Sequence, residues 1–395
     1  MTWTLRVFLL LQILIGFHLV YPFLLYLVTL FRSKRNDLPS DDKREEADYA
    51  IIVTAYEQTT LIPSVVDSIL RLNYSNYSIY IVADKCDVSE LIFTDPRVTV
   101  LRPPEVLASN IKSHFYAMDN FKRDHERLTI IDSDNLVHTE YLNELNKLFD
   151  RNYSAVQGVR QAKNLNSIYA CLDEAGDIYY RYIDRKLLFD AGSSSSLAGS
   201  GMAFTTKLYK ECLSNANKYG AGFDKILQYE ILNRGLHIAF AENAIVFDEK
   251  TAKSDQLVKQ RARWINTWFK FFILGLKMNV KGIFTLSPNR FLFSLMLLRP
   301  PLFMLFMISA LLFLADIFIF IGAIPVWILG VVIFVSMFYK ALSYFKASDS
   351  IYESLKGVPK FIYFQVLALL KAKRANELSV ATRHEHQSTI NDLKS

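Results

Sequence analysis

From Leu5 to Phe31 the chain is almost entirely apolar, with Arg6 its only Lys, Arg, Asp or Glu. A run of this length exceeds the ~20 residues needed to cross the hydrocarbon core of a bilayer. It is also longer than the core of a cleaved signal, and no small-residue cleavage site follows it. Residues 1–31 therefore read as an uncleaved transmembrane helix, and the segment that follows it must lie on one side of a membrane. Arg32, Lys34, Arg35, Lys43 and Arg44 come next, in a linker over residues 32–47. Positive flanking residues stay preferentially on the cytoplasmic face, so the amino terminus is expected outside and the following domain in the cytosol, at the inner or plasma membrane.

The chain is 51% hydrophobic and still 21% charged, so its apolar residues are concentrated in segments. Phe291 to about Phe318 and Phe320 to about Phe338 read as two further spans. A short turn region from Asp316 to Pro325 separates them, forming a hairpin over residues 291–340 that returns the chain to the cytosol. Within residues 256–280, Leu257, Trp264, Trp268, Phe272 and Leu276 recur near helical spacing, with Lys259, Arg261, Arg263 and Lys270 between them. That is the pattern of an amphipathic helix lying in the membrane interface. Residues 351–395 repeat it weakly, with Pro359 to Leu370 followed by Lys371, Lys373 and Arg374, and end in about twenty polar residues expected to be mobile.

The formal charge of +6 is scattered beside apolar runs, which suits an anionic membrane surface better than a nucleic-acid groove, and no nucleic-acid partner is expected. Cys86, Cys171 and Cys212 are odd in number and widely spaced, without a CxxC pair, so neither a disulfide framework nor a zinc site is indicated.

Residues 48–255 alternate short β-rich runs with helical patterns, which argues for βαβ units around a mostly parallel sheet. Strands are expected at Tyr49 to Thr54, Ser78 to Ala83, Val98 to Leu101, Leu128 to Asp132 and Ala155 to Val159, with a helix starting near Pro63. The first strand is nearly all apolar and β-branched, so it belongs in the middle, covered on both faces. Ser193 to Ser196 reads as a short flexible stretch. Ligands of such sheets gather outside the carboxyl ends of the strands, which singles out Asp84 and the Asp132 region.

LTIIDSDN sets Asp132 and Asp134 at the end of an apolar strand, where period-two alternation puts both carboxylates on one side. Such a pair can hold Mg²⁺ or Mn²⁺, which take oxygen ligands and offset charge on a diphosphate leaving group.

The chain carries, in order, TAYEQ at 54–58, IVADKCD at 81–87, Lys112, DSD at 132–134, QGVRQAKN at 157–164, GSGMAF at 199–204, FDKILQYEI at 223–231 and QRARW at 260–264. This set resembles family 2 glycosyltransferases, particularly the membrane-bound processive synthases of cellulose, chitin, hyaluronan and poly-N-acetylglucosamine. The resemblance spans about Asp48 to Trp268. It implies an α/β domain of the GT-A type with about three transmembrane helices, an inverting mechanism and a nucleoside-diphosphate sugar donor. By the same resemblance Asp84 is a nucleoside contact, Lys112, Asp132, Gly199, Ser200 and Gly201 bind donor, Asp134 is the metal ligand and Asp224 the catalytic base. Gln260, Arg263 and Trp264 match a QxxRW motif that closes over the diphosphate and the acceptor end. Many relatives carry an acid before the base, whereas this chain reads Gly222, Phe223, Asp224.

Each assignment has a plainer alternative: a turn or helix cap for Asp84 and Asp224, a membrane anchor for Trp264, a solvated charge for Lys112. The expected activity is transfer from UDP-glucose or UDP-N-acetylglucosamine to a growing glycan through β-linkages, with a homo-oligomer or an export partner, since three spans leave little material for a channel. The rivals are single addition to a lipid carrier or glycolipid, an inactive membrane scaffold, and a transporter, the last disfavoured by the near absence of ionisable residues in the spans.

Overall fold

The computed structural model describes residues 3–32, 46–214, 222–372, 386 and 388–393. Lys34, Arg35, Lys43 and Arg44, which carry most of the orientation argument, and Lys373 and Arg374 of the tail lie outside the described residues. The described residues form two compact units, one drawn from Met1–Asn36, Cys171–Ser193 and Leu257–Lys373, the other from Asp37–Ala170, Ser194–Gln256 and Arg374–Ser395.

In the first unit, three helices are long and apolar enough to cross a membrane: Trp3–Phe31, Leu302–Ile319 and a third over Ile321–Tyr344. The expected span at 291–318 is not continuous. Pro288–Leu298 is a separate helix, and the chain breaks at Arg299 before Leu302–Ile319 begins. Pro300 and Pro301 explain the break, because proline lacks a backbone donor and disfavours helical geometry in the residue before it. Asp316 does not sit at a turn. It lies inside the Leu302–Ile319 helix and is fully buried, with Gln12 Nε2 donating to both its oxygens at 2.7 and 2.8 Å and Trp327 Nε1 donating at 2.8 Å. One carboxylate thus ties three apolar helices together.

The amphipathic segment is a single helix, Ser254–Phe284, longer at both ends than the sequence pattern suggests. It turns back at Gly282, where a Cβ would lie 2.8 Å from the Phe291 backbone nitrogen, so glycine is what allows the following helix so close. The tail helix is Val358–Lys371. From Cys171 onward the Ile168–Tyr180 helix also belongs to this unit. It continues through a π-helical stretch, Arg181–Leu187, whose Asp184 pairs with Arg299 at 2.7 Å, both buried.

The second unit is built on an eight-stranded sheet: β1 Tyr49–Tyr56, β2 Tyr77–Asp84, β3 Val98–Leu101, β4 Arg127–Asp132, β5 Leu136–Val137, β6 Ala155–Ala162, β7 Met202–Thr205 and β8 Ala239–Asp248. Its order is β3-β2-β1-β4-β7-β6-β8-β5. The β3-β2-β1-β4 half is parallel, β7 runs antiparallel to both its neighbours, and β6 and β8 are again parallel. The mostly parallel sheet expected from the sequence is present, with β1 and β2 buried almost throughout. One other expectation fails. Ser193, Ser194 and Ser195 are fully buried, with Ser194 Oγ accepting from the Ile238 N–H and Ser195 N–H donating to the Ile238 carbonyl, so the stretch is fastened instead of flexible. Most of the polar tail lies outside the described residues; of those described, Ile390 is buried, Asn391 accepts from Arg71, and the His386 N–H donates to Glu249.

Candidate active site

The parallel register brings the carboxyl ends of β1, β2 and β4 level, pairing Tyr56 with Asp84 and Thr54 with Asp132. Asp84 closes β2 and is only 2% exposed. Its two oxygens accept the backbone N–H groups of Leu107 at 3.0 Å and Ala108 at 2.8 Å, which clamps the 107–108 turn onto the strand end. Glu57, Lys85 and Ala108 around it have φ of 58°, 55° and 46°. Left-handed backbone at non-glycine residues costs energy and clusters at functional sites. Glu57 and Lys85 pair at 2.6 Å, and the shared hydrogen bond lowers the glutamate's pKa and raises the lysine's, so both stay charged. Beside them a cavity of about 640 Å³ is lined by Lys85, Asp87, Arg102, Pro103 and Glu105, a size suited to a small ligand.

β4 ends at Asp132, and the Asn135 N–H bonds back to the Asp132 carbonyl at 3.0 Å. Asp134 therefore stands on a turn, and strand alternation does not set its direction as the sequence reading assumed. Its carbonyl accepts from Lys163 Nζ at 2.9 Å, and a carboxylate oxygen accepts the Glu249 N–H at 3.5 Å. The Gly199, Ser200, Gly201 loop meets this turn. Ser200 Oγ donates to Asn135 Oδ1 at 2.8 Å and accepts the Asp132 N–H at 3.1 Å, while Gln157 Nε2 donates to the Ser200 and Gly201 carbonyls at 3.1 Å each. Gly201 sits at φ 65°, and a Cβ there would lie 2.8 Å from Val246 Cγ2. Earlier in the loop, the Leu197 N–H donates to Gln228 Oε1 at 3.2 Å.

Gln228 lies one turn along the Phe223–Asn233 helix from Asp224, so these two share a face. Asp224 is in the helix's first turn, where the macrodipole favours an anion, and it pairs with Lys225 at 3.1 Å. Hydrogen bonds thus connect Asp132 to the helix of Asp224 through the Leu197–Gly201 loop. Lys112 stands half-exposed near the start of the Asn110–Asp119 helix, whose N-cap is Ser109. Gln260, Arg263 and Trp264 lie on the Ser254–Phe284 helix of the first unit. There Trp264 is 47% exposed, and the Arg261 guanidinium, paired with Asp173, stands 4.3 Å from its ring centroid.

Sequence reasoning missed the charged groups at the ends of β6 and β8. Asp248 pairs with Arg160 and, at 3.1 Å, with Lys250, and Lys163 Nζ lies 3.9 Å from Glu249. The signal was available: Asp248, Glu249 and Lys250 follow the apolar Ile245, Val246 and Phe247 just as Asp132 follows Leu128 to Ile131. Among the described residues no group of three or more His, Cys, Asp or Glu could hold a metal by itself. Mg²⁺ and Mn²⁺ are commonly held by one or two carboxylates with waters and substrate phosphates completing the shell, which leaves Asp132 and Asp134 as the candidate ligands.

A family model described as glycosyltransferase like family 2 matches residues 47–267. No curated protein matches the sequence. Among solved structures the chain is similar to the mannosyltransferase PcManGT from Pyrobaculum calidifontis in complex with GDP-Man and Mn²⁺, with TM-score 0.61 and 16% identity, over 93% of this chain and 98% of that one. At that identity the likeness is one of fold.

Proposed function

Because the chain belongs to the glycosyltransferase-like family 2, whose model matches residues 47–267, and carries a GT-A-type domain, we propose that it is an inverting enzyme. It takes a sugar from a nucleoside diphosphate and builds a β-linked glycan at a membrane. That the chain is a glycosyltransferase follows from the family; linkage, acceptor and residue roles are our reading. The observation that supports it most is the hydrogen-bonded path from Asp132 through Ser200 and Leu197 to Gln228, one turn from Asp224. It ties the backbone of the donor-side Asp132 to the helix that carries Asp224.

In this reading Asp134, with Asp132, holds the divalent ion, which when bound offsets charge on the diphosphate. Asp224 accepts the proton of the attacking hydroxyl, and the Gly199–Gly201 loop holds the Asp132–Asn135 turn. Gln260, Arg263 and Trp264 serve the diphosphate and the acceptor, with a planar guanidinium suited to phosphate. The three apolar helices span the membrane with the GT-A domain in the cytosol, and the enzyme works as a homo-oligomer or with an export partner.

UDP-glucose and UDP-N-acetylglucosamine are the donors the family resemblance suggests; GDP-mannose, bound by the similar mannosyltransferase, is the competing donor. Purified protein in nanodiscs, given each of the three with Mg²⁺ or Mn²⁺, tests the reading by nucleotide release and product mass. Release from none of them would sink it, and a product one sugar longer than a lipid acceptor would replace polymer synthesis by single addition.

A further inference from the structure

Phe223, the residue standing where many relatives carry an acid, packs against His114 with ring centroids 5.2 Å apart and planes at 65°. His114 is fully buried on the Asn110–Asp119 helix, and its Nδ1 lies 2.6 Å from the Tyr209 hydroxyl. Tyr209, also fully buried, packs in turn on Phe204 of β7 at 5.3 Å. A continuous aromatic line therefore runs from the central sheet to the residue before Asp224. Burial holds His114 neutral, its pKa lowered to about 3, so the line carries no charge.

The helix it reaches begins without a side-chain cap. Gly222 enters at φ 96° and has no side chain to bond the first-turn N–H groups, while its carbonyl accepts the Lys225 and Ile226 N–H groups. One turn further on, the helix is held by Gln228, whose oxygen accepts the Leu197 N–H. At its start it is held by packing, to which Phe223, 7% exposed, contributes. Asp224 stands between these two fixed points.

We propose that Phe223 is a positioning residue: wedged against His114, it fixes the uncapped first turn so that the Asp224 carboxylate is aimed at the acceptor hydroxyl. This rests on the reading of Asp224 as the base. It gives the ring that stands at the departure from the acid-Asp pattern the task of holding the turn that carries the base.

The test uses the full chain in nanodiscs with whichever of UDP-glucose, UDP-N-acetylglucosamine and GDP-mannose the wild type turns over. Phe223→Ala is expected to lower kcat by about 10- to 100-fold, since small misplacements of a reacting group cost on that order, with donor Kd within about threefold of wild type. The acidic limb of the pH–rate profile is expected to move, and Phe223→Tyr, which keeps the ring, to restore most of kcat. Should the alanine variant not fold, Phe223→Leu is read by the same criteria. Wild-type kcat per folded molecule without the ring, or donor affinity lost in step with kcat, would overturn the proposal, as would a leucine variant that also fails to fold. Asp224→Asn separates the two levels: if it keeps its kcat, the base assignment itself is wrong whatever Phe223 does.

Discussion

Ser200→Ala removes a hydroxyl that serves two partners at once, the Asp132 N–H and Asn135 Oδ1, in a place where Ser200 is fully buried and Asn135 is 1% exposed. Leaving a buried donor or acceptor unpaired costs about 1–3 kcal/mol, so orphaning both costs about 2–4 kcal/mol after partial relaxation. At 1.36 kcal/mol per decade that corresponds to roughly 10²-fold more frequent opening of the Asp132–Asn135 turn. Hydrogen exchange of a peptide spanning Ile130–Leu136 should accelerate by that order, and Mn²⁺-dependent donor affinity should fall with it. Ser200→Thr keeps the oxygen and should stay near wild type in both. Unchanged exchange with lost affinity would mean that the hydroxyl meets the donor directly. If exchange and affinity are both unchanged, the hydroxyl does not hold the turn.

Asp134→Asn should abolish metal-dependent transfer, because an amide cannot replace the carboxylate's charge; wild-type turnover, or full activity in excess EDTA, refutes the metal assignment. Trp264→Ala should keep donor binding and lose acceptor-dependent transfer, while Trp268→Ala, four residues on and packed on Phe269 and Phe272, should mainly lower stability in detergent; equal effects on stability alone would make the helix an anchor. His114 is neutral when folded down to about pH 3 but takes a proton below ~6.5 when unfolded, so its contribution is complete above pH 6.5 and is lost as pH falls. At pH 5 this is a loss on the order of 2 kcal/mol, and His114→Gln should flatten the slope of denaturation midpoint against pH between 6.5 and 4. Asp316→Leu should strip Gln12 and Trp327 of their acceptor and cost about 1–2 kcal/mol of thermal stability without changing kcat per folded molecule; a fall in kcat alone would give the carboxylate a functional role.

The parallel half of the sheet was legible because β1, β2 and β4 are buried on both faces and read as unbroken apolar runs. β5 was too short to show, and Met202–Thr205 was seen only as part of a motif, since an antiparallel strand inserted between β4 and β6 carries no local mark of its place. Asp132 could be picked out because strand ends are visible in sequence, and Asp224 was singled out by the family resemblance alone. The Ser200 and Gln228 bonds could not, because they join residues far apart along the chain. Asp316 was misplaced for a similar reason: a lone carboxylate among apolar residues looks like a turn until its partners on two other helices are known.

Residues 171–193 belong to the unit of apolar helices, yet they interrupt the unit that bears the sheet. β7 and β8 follow that interruption, and β6 has no neighbour in the sheet except those two. During synthesis the donor-side domain therefore cannot close until the chain has already emitted a piece of the other unit. A fragment ending near Ala170 leaves β6 with both edges bare, while one running from 46 to 256 carries Tyr179, Tyr180, Leu187 and Leu188 without the helices that bury them. The unit that bears the sheet is thus not one continuous stretch of sequence, and a fragment meant to isolate it has to carry residues 171–193 or be built without them.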